Sequence, residues 1–320
     1  MTDVTLDAAF GDYDRTAPLR TGDVRVQGID LRVQALPPTE IFRRMCESQA
    51  FDVSEMSMGA HIYLTGTGNN PFVAMPAFPS RAFRHSMVYA NVDSGIDRPQ
   101  DLNGKTIATR EWGMTALIWI VGILVEEYGL DLRSIDWVCA IEPRVPLSMP
   151  EGVNCRLMAP DETLSDLLEC GAADAALIHR APECFTRGSD RVKRVFPDYP
   201  RVELEYYQRT GMHPIMHCVV LRREVYRAYP WALRSIYEAL CKSRDHARCA
   251  LRETGALSSM VPFLPAVMDE TLRVFGERYW PYGMAENRDC LERLVRYAHQ
   301  QGLTPRALDV SELFEEIRSG

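Results

Sequence analysis

The sequence has 320 residues, with 36 Lys and Arg against 44 Asp and Glu, a net charge of −8 and 46% hydrophobic residues. This composition excludes a disordered or fibrous chain, and the length predicts two domains that each bury a core without metal or disulfide support. The acidic balance and the lack of a dense Lys or Arg run argue against a nucleic-acid partner, which needs a basic face.

Short apolar segments alternate with turn signals over residues 1–90. The pattern predicts a helix over 39–49 and strands at 4–10, 31–35, 51–58, 72–75 and 87–91. Strand, strand, helix and strand in this order are typical of an α/β domain.

A second α/β unit follows. Turn residues at 96–102 precede a strand at 105–109, and a long helix over 114–128 ends at Gly129. Further along, the pattern predicts a strand at 135–140, a helix over 163–170 and a strand at 174–178. This βαβ succession predicts a mostly parallel sheet.

The last part of the chain is mostly helical after one more strand. The pattern predicts a strand at 214–221 and helices over 231–252, 260–276, 287–301 and 311–318. A strand without a helical partner of its own must join a sheet built earlier, so the chain crosses between two units near 91–97 and 205–214. We therefore predict one lobe of residues 1–92 plus 211–320 and a second, inserted lobe of residues 93–210.

The cysteines and the apolar segments bear on the compartment. Nine cysteines are scattered without a CxxC pair, which predicts reduced thiols and neither a disulfide framework nor a zinc site. The first residues lack the basic start and apolar core of a signal peptide, and the apolar run at 116–125 is too short to span a membrane. We expect a cytoplasmic protein without a membrane partner.

Several segments resemble known proteins over nearly the whole chain. Residues 101–109 (DLNGKTIAT) and 167–178 (LLECGAADAALI) resemble the second lobe of type 2 periplasmic-binding-protein folds. Four further segments resemble 4,5-dihydroxyphthalate decarboxylases, namely FDVSEMSM (51–58), PSRAFRHS (79–86), EWGMT (111–115) and GMHPIMH (211–217). The resemblance implies a two-lobed α/β fold of this type, with the second lobe inserted in the first and a ligand cleft between them. It also implies a carboxy-lyase that converts 4,5-dihydroxyphthalate to protocatechuate and CO₂ during cytoplasmic phthalate degradation.

That reaction requires a proton donor to the ring carbon, a base near the phenol and cations for two carboxylates. In the 79–86 segment, Arg81 and Arg84 are candidates to clamp the substrate, because Arg pairs with carboxylates in fixed geometry. His85 is a candidate for proton transfer and Ser86 for substrate contact. Without the resemblance, the same residues fit a solvated basic turn.

The 111–115 segment follows a strand and begins a helix, where free N–H groups favour an anion. Glu111 is a candidate base for the phenol, and Trp112 a candidate to stack on an aromatic ring. Gly113 allows close approach to the backbone, with Met114 and Thr115 beside it. The alternative is a helix start that Glu and Thr merely cap.

Two histidines lie four residues apart in the 211–217 segment. On a strand they would be about 13 Å apart, too far for one metal ion, so His213 is a candidate for proton transfer and His217 for substrate binding. Ser57 and Arg180 follow strand ends, where open α/β sheets place ligand contacts, and are further candidates for substrate binding.

The sequence lacks the GxGxxG, GxxxxGK[ST], HExxH and GxSxG motifs. We therefore expect no organic cofactor; a divalent metal ion and a homo-oligomer stay open. The leading hypothesis is a decarboxylase of a dihydroxylated aromatic dicarboxylate. The alternative is a cytosolic solute-binding or sensor protein for a small aromatic or anionic ligand.

Overall fold

The computed structural model describes residues 4–147 and 149–317. In chain order its strands are β1 (Val4–Phe10), β2 (Ile29–Ala35), β3 (Val53–Ser57), β4 (Phe72–Arg81), β5 (Val88–Asn91), β6 (Thr106–Thr109), β7 (Asp136–Cys139), β8 (Asn154–Leu157), β9 (Ala175–Leu177), β10 (Val192–Arg194) and β11 (Ile215–Arg222). They form two sheets, and the chain leaves the first sheet after β4 and returns to it at β11.

The helices lie on both sheets and at the C-terminal end of the chain. They are α1 (Ala17–Thr21), α2 (Pro38–Ser48), α3 (Met58–Gly66), α4 (Thr115–Tyr128), α5 (Leu164–Cys170), α6 (Glu183–Thr186), α7 (Tyr199–Thr210), α8 (Arg223–Ala228), α9 (Ala232–Arg252), α10 (Leu264–Phe275) and α11 (Arg288–Gln300). Within the described ranges, none of them combines the length and the apolar character needed to cross a membrane.

The first sheet has the order β2-β1-β3-β11-β4. Strands β1, β2 and β3 pair in parallel, and β11 pairs antiparallel with both β3 and β4. The predicted strand at 214–221 therefore does join the sheet built by the first residues of the chain. The antiparallel insertion brings the start of β11 beside the carboxyl end of β3, with His217 opposite Ser57.

The second sheet has the order β10-β5-β9-β6-β7-β8. Strands β9, β6, β7 and β8 are parallel, whereas β5 pairs antiparallel with β9 and β10. The sequence pattern assigned 87–91 to the first lobe, but β5 lies in the second sheet. A boundary based on the sheets thus falls within residues 82–87, and the predicted boundary after residue 92 is too late.

Several other elements differ from the sequence-based expectations, among them β8, α7 and the last predicted helix. Strand β8 and helix α7 were not predicted, because β8 is a polar, exposed edge strand and α7 begins at a Tyr-Pro pair within a polar stretch. The helix predicted over 311–318 is only a short 3₁₀ turn, Val310–Glu312, which Asp309 caps through the Ser311 N–H. Arg318 lies outside the described residues.

Helix α4 is buried on two sides and belongs to both cores. Ile118, Trp119 and Ile123 pack in the core of the first sheet, whereas the second core takes Leu117, Ile120, Val121 and Leu124. The Trp119 indole N–H donates to the Ile215 carbonyl (2.8 Å). At Gly122, a Cβ atom would lie 2.0 Å from Tyr297 Cδ2, so only glycine lets α11 approach this closely. The two sheets therefore share one central helix.

Candidate active site

A cavity of about 160 Å³ lies where the carboxyl ends of strands from both sheets face each other. This volume is close to that of an engineered protein cavity that holds benzene. The first sheet and its helices contribute Pro38, Thr39, Phe42, Cys46, Ser57, Ala60, Met216 and His217 to the lining. The residues that follow β4, β6, β7 and β9 contribute Arg84, Glu111, Trp112, Gly113, Met114, Thr115, Ala116, Arg144, Val145, His179 and Arg180.

One wall of the cavity holds a histidine–carboxylate pair. His217 Nδ1 lies 2.5 Å from Glu55 Oε1. The β-register explains the contact, because His217 is opposite Ser57 and Glu55 is two residues earlier on the same face of β3. Phe42 packs edge-on against the imidazole, with ring centroids 4.8 Å apart. Nε2 has no hydrogen-bond partner among the described residues and is left for a ligand.

Glu55 is fully buried, and three donors hold its carboxylate. Besides His217, the Gly11 N–H donates to Oε2 (2.9 Å) and the Tyr13 hydroxyl donates to Oε1 (2.9 Å). Gly11 permits this arrangement, since a Cβ there would lie 2.4 Å from Tyr13 Cζ. The carboxylate is therefore fixed in one orientation before any ligand binds.

The electrostatic balance keeps Glu55 ionised. Burial acts to raise the pKa of its carboxyl, but the His217 charge and the three hydrogen bonds outweigh burial and lower it. An ionised Glu55 accepts the proton of His217 Nδ1–H, which fixes the tautomer and leaves Nε2 to exchange a proton with a ligand.

The two sheets meet directly beside this pair. Thr115 Oγ1, at the start of α4, accepts the Gly59 N–H (2.8 Å) and lies 2.8 Å from Ser57 Oγ. At Gly59 a Cβ atom would lie 2.5 Å from the Gly113 carbonyl oxygen. Gly113 itself has φ +82°, a left-handed conformation that favours glycine. The 111–115 segment thus sits tightly on the start of α3.

Cationic side chains dominate the opposite wall. Arg84, Arg144 and Arg180 line the cavity, and of these only Arg144 has an ion-pair partner within the described ranges, namely Glu111 at 3.4 Å. The Arg144 backbone N–H also donates to Glu111 Oε1 (2.9 Å). Arg84 Nε is buried and has no hydrogen-bond partner in the described part of the chain. The cavity is positive within a chain of net charge −8.

His179 stands among these arginines as a neutral group. Burial, together with the charges of Arg180, Arg110, Arg84 and Arg144, lowers its pKa to about 4. Its Nδ1 is buried and lacks a hydrogen-bond partner in the described residues. A neutral imidazole with an unpaired nitrogen is suited to accept a hydrogen bond from a ligand hydroxyl.

Arg81 was predicted to contact substrate, but the structure places it away from the cavity. It ends β4 with its side chain turned toward the C-terminal helices, where Nη1 donates to the His213 carbonyl (3.0 Å) and Nη2 to the Pro281 carbonyl (2.8 Å). Nη2 also donates to Asn287 Oδ1. Three acceptors already occupy the guanidinium, so Arg81 ties β4 to the segment before α11.

Replacing Arg81 with Met is therefore expected to destabilise the fold without changing KM. Each acceptor left unpaired in the interior costs about 1–3 kcal/mol, so the free energy of unfolding should fall by roughly 2–5 kcal/mol. Urea titration measures this loss, and the exposed Arg20→Met variant is the control. A raised KM with unchanged stability would instead place Arg81 on the substrate.

His85, Ser86 and His213 also lie outside the cavity lining. His85 is enclosed by Tyr128, Phe196 and Tyr206, and the Ser86 N–H donates to Glu203 Oε1 (3.1 Å). His213 stacks on Phe83 with ring centroids 4.8 Å apart. The 3₁₀ turn after β4 turns His85 and Ser86 away from the cavity, and β11 begins only after His213.

Burial of His85 has a measurable effect on stability at low pH. Burial, with the Arg209 charge, lowers its pKa to about 4. The unfolded chain then binds the proton more readily, so stability is lost as pH falls from about 6.5 toward 4. His85→Phe should give a shallower decline in urea titrations across this range, with the exposed His246→Phe as the control. Parallel curves for His85→Phe and wild type would rule out this contribution.

The remaining predicted residues do line the cavity: Ser57, Arg84, Glu111, Trp112, Gly113, Met114, Thr115, Arg180 and His217. Trp112 is nearly fully buried against Trp137 and donates its indole N–H to the Gln301 carbonyl (3.0 Å). It forms part of the wall and is not a free stacking surface. No group of three or more His, Cys, Asp or Glu side chains suited to a metal ion occurs in the ranges 4–147 and 149–317.

The predicted site residues did not include Glu55, Tyr13, Arg144 or His179. Glu55 offered a signal, an acidic residue inside an apolar strand that ends at Ser57. His179 directly precedes Arg180, and because β9 ends at Leu177, strand alternation does not separate the two side chains and both line the cavity. Arg144 lies in the polar connection after β7, where no motif or apolar periodicity marks a functional residue.

The two sheets, the single insertion and the cavity between strand ends define a two-lobed protein with a periplasmic-binding-protein-like fold. Solved structures agree: the aliphatic sulphonate binding protein SsuA from Escherichia coli gives a TM-score of 0.57 at 12% identity, covering 97% of both chains. The alkanesulfonate-binding protein SsuA from Xanthomonas axonopodis pv. citri gives 0.54 at 11% identity, covering 98% of this chain and 99% of that one. These likenesses concern the fold alone.

Sequence relatives identify the family. A 4,5-dihydroxyphthalate decarboxylase from Comamonas testosteroni is 37% identical over 321 residues, covering 98% of this chain and 97% of the relative. Another from Pseudomonas putida is 34% identical over 214 residues, covering 65% of this chain and 83% of the relative. No family model matches the sequence. The chain belongs to the 4,5-dihydroxyphthalate decarboxylase family and is a carboxy-lyase.

Proposed function

We propose that this enzyme removes one carboxylate of 4,5-dihydroxyphthalate in the cavity between its lobes, releasing protocatechuate and CO₂. The names of its relatives support the substrate. One observation carries the proposal. Arg84 and Arg180, which have no ion-pair partner among the described residues, line the same cavity as His217, whose imidazole is oriented by Glu55. A ligand with two carboxylates and an aromatic ring matches both walls.

In this proposal, arginines bind the carboxylates. Arg84 and Arg180 have no ion-pair partner among the described residues and line the same wall. The start of α4 adds backbone N–H groups, since Met114, Thr115 and Ala116 line the cavity and no side chain caps the helix there. Charge-assisted hydrogen bonds of this kind hold a dianion against the negative charge of the whole protein.

His217 delivers the proton to the ring. Its Nδ1–H is held by Glu55, so Nε2–H is directed to the ligand and can protonate the ring carbon that bears the leaving carboxylate. The C–C bond then breaks, its electron pair restores the aromatic ring, and CO₂ leaves. Substrate carboxylate and one proton thus give ring C–H and CO₂. This assignment replaces His85 and His213, neither of which lines the cavity.

His179 assists at the phenol. Protonation of the ring carbon is favoured when electron density flows in from the hydroxyl para to it, and the unpaired Nδ1 of neutral His179 can accept a hydrogen bond from that hydroxyl. The hydrogen bond polarises the O–H bond while the proton stays on the oxygen. Glu111 was the earlier candidate for this role, but its carboxylate is already engaged by the Arg144 backbone and guanidinium. We therefore assign Glu111 to positioning Arg144.

The test is release of CO₂ and formation of protocatechuate from 4,5-dihydroxyphthalate by the purified protein, with and without divalent metal. Phthalate, which lacks both hydroxyls, should bind as a competitive inhibitor and not react. If 4,5-dihydroxyphthalate binds but is not converted under either condition, the protein acts on another substrate or is a binding protein.

We also propose that the enzyme works in the cytoplasm. The nine cysteines are all free thiols, and they are spread over both lobes. Reduced cysteines in this number are typical of a reducing compartment. Fractionation of cells that express the chain at native level, with immunoblotting of periplasmic and cytoplasmic extracts, tests this proposal.

A further inference from the structure

Two cysteine side chains are in contact at the edge of the second sheet. Cys139 is the last residue of β7 and Cys155 lies in β8, the edge strand that pairs with it. Their sulfur atoms are 3.1 Å apart. A disulfide needs about 2.05 Å, so the sulfurs must approach by roughly 1 Å. Strand β8 is exposed along its length and paired on one side only, so it can make this shift.

The two thiols have complementary environments. Cys139 is buried, with 2% of its surface exposed, whereas Cys155 is exposed. The hydrogen bond between them lowers the pKa of the Cys155 thiol and raises that of Cys139. The accessible sulfur is therefore the one that more readily becomes a thiolate, which is the arrangement of an attacking cysteine beside a resolving one.

The chain between these cysteines contributes to the cavity. Arg144 and Val145 line it, and Val145 is buried. The connection is also tied to the 111–115 segment through the Glu111–Arg144 pair, and Tyr63 Oη donates to the Pro146 carbonyl (2.9 Å) from α3. A covalent link between β7 and β8 would hold both ends of this connection.

We infer that Cys139 and Cys155 form a reversible disulfide that restrains the cavity-lining connection between β7 and β8. The oxidant is a low-molecular-weight disulfide such as oxidised glutathione. The Cys155 thiolate attacks it, forming a mixed disulfide and releasing one small thiol. Cys139 then loses its proton, attacks Cys155 Sγ and releases the second small thiol. The two cysteines lose two electrons and two protons, and the small disulfide is reduced to two thiols.

Oxidation should slow turnover. This part rests on the proposed function: Arg144 and Val145 line the cavity, and the disulfide limits how far the connection that carries them can adjust around a ligand. We expect a severalfold lower kcat for 4,5-dihydroxyphthalate in the oxidised enzyme, restored by dithiothreitol.

The experiment treats native protein with oxidised glutathione and follows two readouts. Peptide mapping under non-reducing conditions should show a Cys139–Cys155 link and no lasting glutathione adduct on Cys155. A stable adduct on Cys155, or two free thiols, overturns the disulfide whatever the enzyme acts on. A complete link with unchanged kcat overturns the restraint of the cavity.

Cys155→Ser and Cys249→Ser form a matched pair of variants. Both remove one exposed cysteine, and only the first touches the proposed link. The oxidant should leave kcat of Cys155→Ser unchanged and lower that of Cys249→Ser as in wild type. Equal inhibition of both variants would assign the effect to another thiol, such as Cys46 at the cavity, and would contradict the proposal.

Discussion

Replacing His217 with Asn is expected to lower kcat for 4,5-dihydroxyphthalate by roughly 10²–10⁴-fold, the range found for removal of a general acid. Asn keeps a side-chain N–H for Glu55 but has no second nitrogen to protonate the ring carbon. The cost should appear in kcat and not in KM, because the carboxylates are held by the opposite wall. Steady-state kinetics with detection of protocatechuate measures the effect.

His246→Asn is the control, since His246 is exposed on α9, away from the cavity. A second variant, Glu55→Gln, tests the orienting role: it removes the charge that fixes Nδ1–H, so kcat should fall, but less than in His217→Asn. If His217→Asn raises KM and leaves kcat intact, His217 binds substrate and another group donates the proton.

The second large effect concerns Arg84, three residues after Arg81. Arg84→Met should lower kcat/KM by roughly 10–100-fold, because one charge-assisted hydrogen bond to a carboxylate contributes about 1.5–3 kcal/mol. Its fold stability should not fall. Burial lowers the pKa of Arg84 to about 10, and its Nε has no hydrogen-bond partner in the described residues. The substitution therefore removes a buried cation that nothing compensates when no ligand is bound.

Arg81→Met is the matched comparison and should behave in the opposite way, with lost stability and an unchanged KM. Kinetics and urea unfolding on both variants therefore separate the two arginines. If Arg84→Met unfolds more easily and keeps its kcat/KM, Arg84 supports the fold and the carboxylates must be held by Arg180 and the start of α4.

In the 79–86 segment, the sequence predicted which types of side chain the site needs, but it did not predict which of these side chains face the cavity. Arg81 and Arg84 look equivalent in the sequence, yet β4 continues through Arg81 and turns it to Asn287, while Arg84 faces the cavity. The partner that decides this lies some 200 residues further along the chain, and no local pattern reveals it. His85 is similar, because the aromatic side chains around it come from α4 and from the region near α7.

The fold was easier to predict because it follows from local periodicity. The strands and long helices were predicted from the spacing of apolar residues. The single strand before the C-terminal helices had to join an earlier sheet, so the chain had to cross twice between the lobes. Elements with little apolar signal, such as β8, were missed. The His217–Glu55 pair depends on antiparallel register between β11 and β3, which a sequence pattern does not specify. The contact between His217 and Glu55 could therefore be identified only from the strand register in the structure.

The helix shared by both cores has a consequence for how the protein unfolds. Separate lobes joined by two crossings would melt independently. Here α4 packs on both sheets, and its Ile118 carbonyl accepts the Gln301 side-chain amide (2.9 Å) from the end of α11. Losing either lobe would expose the α4 side chains that pack in that lobe's core. We expect one calorimetric transition, with equal calorimetric and van't Hoff enthalpies; two resolved transitions would show that the lobes are thermodynamically independent.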